Sequence, residues 1–171
     1  MNEILARWNQ LPFTDAVGEV ISCCGSKSWA QLLAGRRPIT SESSLLAASD
    51  DIWRSLDPSD WLEALHAHPR IGESSTKVPV GSQSQSWSRQ EQGQVRTANE
   101  AVKTELAGAN RAYEQRFGHI FIVCATGKSA SEILAILRRR MQNDGNTELR
   151  EAADEQRQIT QLRLHRWLEG S

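Results

Sequence analysis

The chain has 171 residues, 39% of them hydrophobic and 24% charged, with a formal net charge of −1. That balance suits a soluble globular protein with one sizeable core, and it leaves no strongly basic field to draw nucleic acid or an anionic membrane. No apolar run approaches the ~18 residues needed to cross a bilayer.

The start, Met1-Asn2-Glu3-Ile4, lacks a charged segment followed by an apolar one, so no signal peptide is expected. The ending Leu168-Glu169-Gly170-Ser171 is not the peroxisomal tripeptide. Three cysteines, Cys23, Cys24 and Cys124, are odd in number and two are adjacent. Neighbouring cysteines rarely form a relaxed disulfide, so reduced thiols and a cytoplasmic protein are expected.

Helical signals run from end to end. Thr14 is positioned to cap a helix carrying Val17, Val20, Ile21 and Cys24, closed by Gly25. A short helix around Trp29 and Leu33 ends at Gly35. Leu45, Ala48, Ile52, Trp53 and Leu56 then recur at three- and four-residue spacing, one helical stripe. Asp57-Pro58 places proline at a first helical position. The helix that follows, with Trp61, Leu62 and Leu65, must stop before Pro69, because proline disfavours α geometry in the residue ahead of it.

Residues 71–86 are rich in Ser, Gly, Pro and Gln and read as a long loop, a feature often tied to function. Ser88-Arg89-Gln90-Glu91 matches a capping box that opens a helix. The stripe Val95, Ala98, Val102, Leu106, Ala109, Tyr113 and Phe117 extends that helix to Gly118. Phe121-Ile122-Val123-Cys124-Ala125 is the one strand-like run. A lone strand makes no sheet, so it is either a buried extended segment or a short helical turn. Ser129 and Glu132 form another capping box ahead of Ile133, Leu134, Ile136, Leu137 and Met141. After Asn143-Asp144-Gly145, a final helix carries Leu149, Ala152, Ile159, Leu162 and Trp167. The expectation is an all-α single domain over residues 1–171, a bundle of about seven or eight helices.

Four places carry possible chemistry. His66 and His68 are two apart, which suits a metal pair only on an extended backbone, since i and i+2 do not share a helix face. Only His119 and His165 remain as further histidines, so no metal is expected. Both rings otherwise cap a helix C-terminus. Pro69 forces His68 out of the helix at the head of the loop, where a ring titrating near neutrality serves proton transfer. In the second place, Glu91 is locally a capping residue. The helix start offers N–H groups to an anion, with Ser88 and Gln92 adding side-chain hydrogen bonds. Third, Thr126-Gly127-Lys128-Ser129 hints at a phosphate loop. The full motif requires glycine where Ile122 stands, so a plain loop into a helix is preferred. Last, Leu149, Ala152, Gln156, Ile159, Arg163 and Trp167 step by three or four, which puts Arg163 on the inward stripe. There it either snorkels to water or meets an acceptor, such as an anionic ligand. Most of the six tryptophans sit on such stripes, and Trp87 ends the polar loop, where it could line a pocket.

Taken in order, His68-Pro69-Arg70-Ile71-Gly72, Ser88-Arg89-Gln90-Glu91-Gln92, and Arg116-Phe117-Gly118-His119-Ile120-Phe121-Ile122-Val123-Cys124-Ala125 with Gly127-Lys128-Ser129 resemble the signatures of the OHCU decarboxylase family. The likeness runs from Leu11-Pro12-Phe13 to Gln161-Leu162-Arg163-Leu164. OHCU is 2-oxo-4-hydroxy-4-carboxy-5-ureidoimidazoline, and the resemblance implies its decarboxylation to (S)-allantoin, the last step of urate oxidation. It implies His68 as acid/base, with Pro69, Ser88 and Gln92 on the substrate and Glu91 on the ring or ureido nitrogens. Backbone groups of Phe121, Ile122, Val123, Cys124 and Ala125 would hold the planar amides, and Arg163 would match the family's C-terminal arginine. The resemblance further implies no cofactor, an anionic small-molecule substrate, and a possible homodimer. Two other readings of the same residues are a metal-dependent hydrolase on His66 and His68, and a non-catalytic helical interaction module.

Overall fold

A computed structural model describes residues 2–72 and 81–170. Those residues form ten helices and no strand: α1 (Glu3–Gln10), α2 (Phe13–Cys24), α3 (Lys27–Gly35), α4 (Glu42–Ser55), α5 (Pro58–His66), α6 (Ser82–Glu91), α7 (Gly93–Arg96), α8 (Glu100–Phe117), α9 (Ala130–Arg140) and α10 (Gly145–Glu169). The all-α expectation holds, while the count exceeds seven or eight for identifiable reasons. One is α1, which has only two buried apolar residues, Leu5 and Trp8, too few for a periodic stripe to show. Its start is fixed by Asn2, whose side chain accepts from the Ile4 and Leu5 N–H groups at 2.9 and 3.2 Å.

The other reason lies between Ser82 and Phe117. The capping box expected at Ser88 is absent, because Ser88 and Glu91 sit in the second half of α6, with Glu91 its last residue. Residues 81–86 are therefore not loop beyond Gly81, and residues 73–80 of the expected loop lie outside the described residues. The buried residues of α6 are Ser84, Trp87, Ser88 and Glu91, at i, i+3, i+4 and i+7. This is a full helical stripe, but three of its four members are polar, so apolar periodicity does not reveal it. The long helix expected from Ser88 to Phe117 is also divided. Asn99 opens α8 by accepting the Val102 N–H at 2.9 Å, and α7 is a single turn before it.

Other boundaries fall where local chemistry placed them. Gly25 and Gly118 close α2 and α8 in the left-handed region, at φ 89° and 76°. Ser129 and Glu132 form the expected capping box at α9, with reciprocal bonds of 3.2 and 2.7 Å. Asp144 accepts the N–H groups of Asn146 and Thr147 at 3.0 Å each at the start of α10. At α2 the boundary shifts slightly. Pro12 precedes the helix, so Thr14 lies inside it rather than capping it.

The described chain divides into two compact units, one of residues 1–64 with 157–171, the other of residues 65–156. The first is centred on Leu5, Trp8, Ala16, Val20, Trp29, Leu33, Leu45 and Ile52, all buried. Trp8 donates its indole N–H to the Ala16 carbonyl at 2.9 Å and meets Trp167 edge-on at 5.7 Å. Cys23 and Cys24 are buried and form no disulfide, and burial pushes Cys24 up to about 12, so neither is a ready nucleophile.

The second unit packs Val95, Leu106, Tyr113, Ile133, Leu134 and Leu137 around Phe121, Val123 and Ala125. Within it lies a charged centre. Arg140 and Glu148 are both 0% exposed. Glu148 Oε1 accepts from Arg140 Nε at 2.8 Å and Nη2 at 2.5 Å, and from the Tyr113 hydroxyl. Asn143 supplies a further donor to Oε2 at 2.8 Å. The third guanidinium nitrogen, Nη1, donates to the Ile122 carbonyl at 2.6 Å. Burial, then donation to Glu148, raises the Tyr113 phenol far above its ordinary value, so it stays a donor. Arg140→Ala leaves a buried carboxylate uncompensated and is expected to cost about 3–5 kcal/mol, measured as a lower urea midpoint. Tyr113→Phe, which removes one donor of several, is expected to cost about 1–3 kcal/mol.

Candidate functional site

The site is built in the second unit, around the chain that leaves α5. After His66 the chain turns, the His68 N–H donates to the Leu65 carbonyl at 3.2 Å, and Pro69 prevents further helix. The two histidines then part company: His66 is exposed and His68 is 9% exposed. Each residue after Pro69 is tied down. Arg70 makes a two-pronged pair with Glu114 on α8, Nε to Oε1 at 2.5 Å and Nη2 to Oε2 at 2.9 Å. The Ile71 carbonyl accepts from Asn110 at 3.1 Å, and the Gly72 N–H donates to Gln92 Oε1 at 3.0 Å. Arg70, Asn110 and Glu114 were not singled out from the sequence. Their spacing on α8, one turn apart for the latter two, is the signal that could have found them.

Gln92 thus holds the backbone just downstream of His68, and Ser88 and Glu91 lie on the buried stripe of α6. Pro69 is half-buried, and Trp87 is buried at 2% rather than open at a loop end.

The segment 121–125 settles into the first of its two expected forms. Phe121, Val123 and Ala125 belong to the apolar core cluster and Ile122 and Cys124 do not, although all five are buried. This period of two marks extended backbone. Hydrogen bonding follows the same alternation. The Ile122 carbonyl accepts from Arg140, the Cys124 N–H donates to Glu155 Oε2 at 2.7 Å, and the Cys124 carbonyl accepts from Lys128 Nζ at 2.6 Å. The Ala125 carbonyl closes a turn with the Lys128 N–H at 3.0 Å. Among the described residues, no hydrogen bond engages the Phe121 or Val123 N–H and C=O, the Ile122 N–H or the Ala125 N–H. The five backbone positions expected to meet a ligand therefore divide: the Cys124 peptide groups are occupied by protein, and those of Val123 are not.

Burial is the main cause that raises the Cys124 thiol. Lys128 opposes it, and the carboxylates of Glu155 and Glu91 reinforce it. Glu91 therefore lies within electrostatic reach of Cys124, which brings α6 and the extended segment to one place. Arg163 belongs to the other unit. It is 2% exposed on α10, its Nη1 lies 3.4 Å from the Ser22 carbonyl, and its charge lowers both Cys23 and Cys24. It is buried, as its place on the inward stripe implies, and does not snorkel. Among the described residues, no group of three or more His, Cys, Asp or Glu side chains is placed to hold a metal.

A nearly buried histidine at a helix end, a buried carboxylate and an extended segment with a spare peptide thus lie in one unit of an all-α protein. The sequence model of OHCU decarboxylase matches residues 9–165, and the chain belongs to that family. It is 38% identical over 143 residues to the uric acid degradation bifunctional protein TTL of Arabidopsis thaliana, covering 83% of this chain and 44% of that one. The 2-oxo-4-hydroxy-4-carboxy-5-ureidoimidazoline decarboxylase of Haloferax volcanii is 29% identical over 153 residues, covering 89% and 86%. A solved OHCU decarboxylase, determined in the presence of (S)-allantoin, shares 35% identity and a TM-score of 0.74, covering 88% of this chain and 97% of that one. The chain spans less than half the length of three bifunctional uric acid degradation relatives, 44%, 27% and 29%.

His119, next to this segment, packs edge-on against Tyr113 at 5.6 Å. Burial is the largest influence on its ring and lowers its pKa below 6.5. Between that lowered value and 6.5, the unfolded chain binds a proton that the folded chain does not. Its contribution to stability is whole above about pH 6.5 and is lost as pH falls through that window. His165, raised by Glu42, acts with the opposite sign, so the comparison needs a variant. Urea midpoints at pH 7.5 and 5.5 should fall less on acidification in His119→Asn than in the unsubstituted protein.

Proposed function

We propose that this protein is a cofactor-independent decarboxylase of 2-oxo-4-hydroxy-4-carboxy-5-ureidoimidazoline, forming (S)-allantoin in urate breakdown, as a single domain in the cytoplasm. Membership of the family supports the reaction. The observation that carries it to named atoms is the spare Val123 peptide, buried in an extended segment within reach of Glu91. A planar ureide presents donor and acceptor atoms side by side, the complement of one N–H and one C=O on the same strand edge.

The substrate bears a carboxylate and a hydroxyl on one ring carbon, beside a ring C=N. When the C–CO₂ bond breaks, its electron pair forms a double bond to the adjacent carbon. The C=N pair moves onto nitrogen, which takes up a proton. The hydroxyl then loses its proton as the adjacent carbon gains one, and protonation on one face sets the S configuration. His68 is assigned the proton transfer, with its exit from α5 fixed by Pro69 and by the Arg70–Glu114 pair. Glu91, an acceptor only when ionised, receives ring or ureido N–H groups. Pro69, Ser88 and Gln92 line or shape the same place, and Arg163 is assigned to the substrate's anionic charge. None of these steps calls for an electron sink beyond the substrate's own conjugation.

The test generates the intermediate from urate with urate oxidase and hydroxyisourate hydrolase, then follows its decay and the optical activity of the allantoin. Turnover should survive exhaustive chelation, whereas loss of turnover on chelation returns the metal-hydrolase reading of His66 and His68. Decay no faster than the spontaneous rate would overturn the assignment. His68→Asn should remain folded and lose about 10²–10⁴-fold in kcat. Glu91→Gln should lower kcat/KM about ten- to hundredfold. A homodimer, which the family likeness suggests, is read by sedimentation equilibrium.

A further inference from the structure

We infer that Lys128 and Glu155 are positioning residues, which select the Val123 peptide as the one that receives a planar ureide by occupying both polar groups of Cys124. The inference rests on the reading above.

In an extended chain, the N–H and C=O of one residue point to the same edge, and those of the next residue to the opposite edge. Without anything to hold it, such a segment in an all-α protein has two equivalent edges and can rotate or slip by one residue. Here one edge is held at three points. The Glu155 carboxylate takes the Cys124 N–H at 2.7 Å, the Lys128 ammonium gives to the Cys124 carbonyl at 2.6 Å, and Arg140 gives to Ile122 at 2.6 Å. All three bonds carry an ionised partner, the stronger kind. They come from three places in the chain: α9, the turn before it, and α10. The opposite edge, with the Val123 N–H and C=O, is left to a ligand. Val123 is 4% exposed, so a ligand is better placed than bulk water to satisfy it.

Neither charge is needed for the core. Lys128 and Glu155 are each half-buried, and the box that caps α9 uses Ser129 and Glu132 instead. Arg140 differs, because it also neutralises Glu148.

The experiment uses Lys128→Met and Glu155→Ala, with Lys128→Arg and Glu155→Gln as milder partners that keep a donor and an acceptor. Binding is read by titrating (S)-allantoin into ¹⁵N-labelled protein and following the Val123 and Ala125 amides, and KM is read in the coupled assay. Expected is a drop of about tenfold or more in allantoin affinity and a matching rise in KM for each truncation, the size of one charged hydrogen bond, with kcat falling less than in His68→Asn. The milder variants should recover most of the affinity. Truncations that fold and leave both affinity and KM within twofold of the parent overturn the inference, as does a loss confined to kcat. If a truncation does not fold, its milder partner decides: allantoin that binds with near-parental affinity and shifts the Val123 amide supports the inference, and a Val123 amide unmoved by allantoin overturns it. A parent protein that binds allantoin at Val123 but does not speed decarboxylation defeats the proposed function while leaving the positioning role standing.

Discussion

The second unit depends on one buried ion pair. Arg140 and Glu148 have no contact with water, and two charges in such a place are tolerable only if each remaining lone pair and proton is used. Tyr113 and Asn143 donate to Glu148 beside Arg140, and the Ile122 carbonyl takes a further Arg140 proton. The pair thereby ties the starts and ends of three helices, α8, α9 and α10, to the extended segment. Replacing such a pair with apolar side chains is often neutral or stabilising in general. Here an apolar substitute would leave the Ile122 carbonyl without its donor, so the pair is better understood as a fixture for the segment than as a source of stability.

From that fixture the geometry of the site follows outward. The segment is held from one edge, its odd-numbered side chains enter the core, and Cys124 lies within electrostatic reach of Glu91. The α6 stripe that carries Glu91 is bound through Gln92 to Gly72, and the stretch from His68 to Gly72 is bound again to α8 by Arg70 and Asn110. A catalytic side chain loses effect when displaced by even an ångström. This loop's three separate anchors within three consecutive residues are the kind of support that prevents such displacement.

Local signals in the sequence had the force to locate most helix ends. Gly25, Gly118, Pro58 and the Ser129–Glu132 box each act through atoms a few residues apart, so nothing distant can override them. His68 was legible for the same reason: the proline after it acts on the adjacent residue. The α6 reading failed where chemistry and pattern coincide by accident. Ser88 and Glu91 have capping-box spacing, but i and i+3 are also neighbours on one face of a helix, and the buried face of α6 is mostly polar. Arg140 was hidden in the run Arg138-Arg139-Arg140. Only its position three residues after Leu137, on the stripe of Ile133 and Leu137, separates it from its two exposed neighbours. Its partners Tyr113 and Glu148 are 27 and 8 residues away, a separation that no local pattern encodes.

The run Thr126-Gly127-Lys128-Ser129 shows how the same residue types serve opposite ends. In a phosphate loop, free backbone N–H groups and a lysine face a common anion. Here the Lys128 N–H is spent on the Ala125 carbonyl and its ammonium folds back onto Cys124. The Ser129 N–H is taken by Glu132, whose carboxylate is held below its ordinary pKa by that bond and would repel a phosphate. The Lys128 and Ser129 donors that an anion would need are already directed inward, and the lysine that grips an anion in a phosphate loop here steadies the backbone at Cys124.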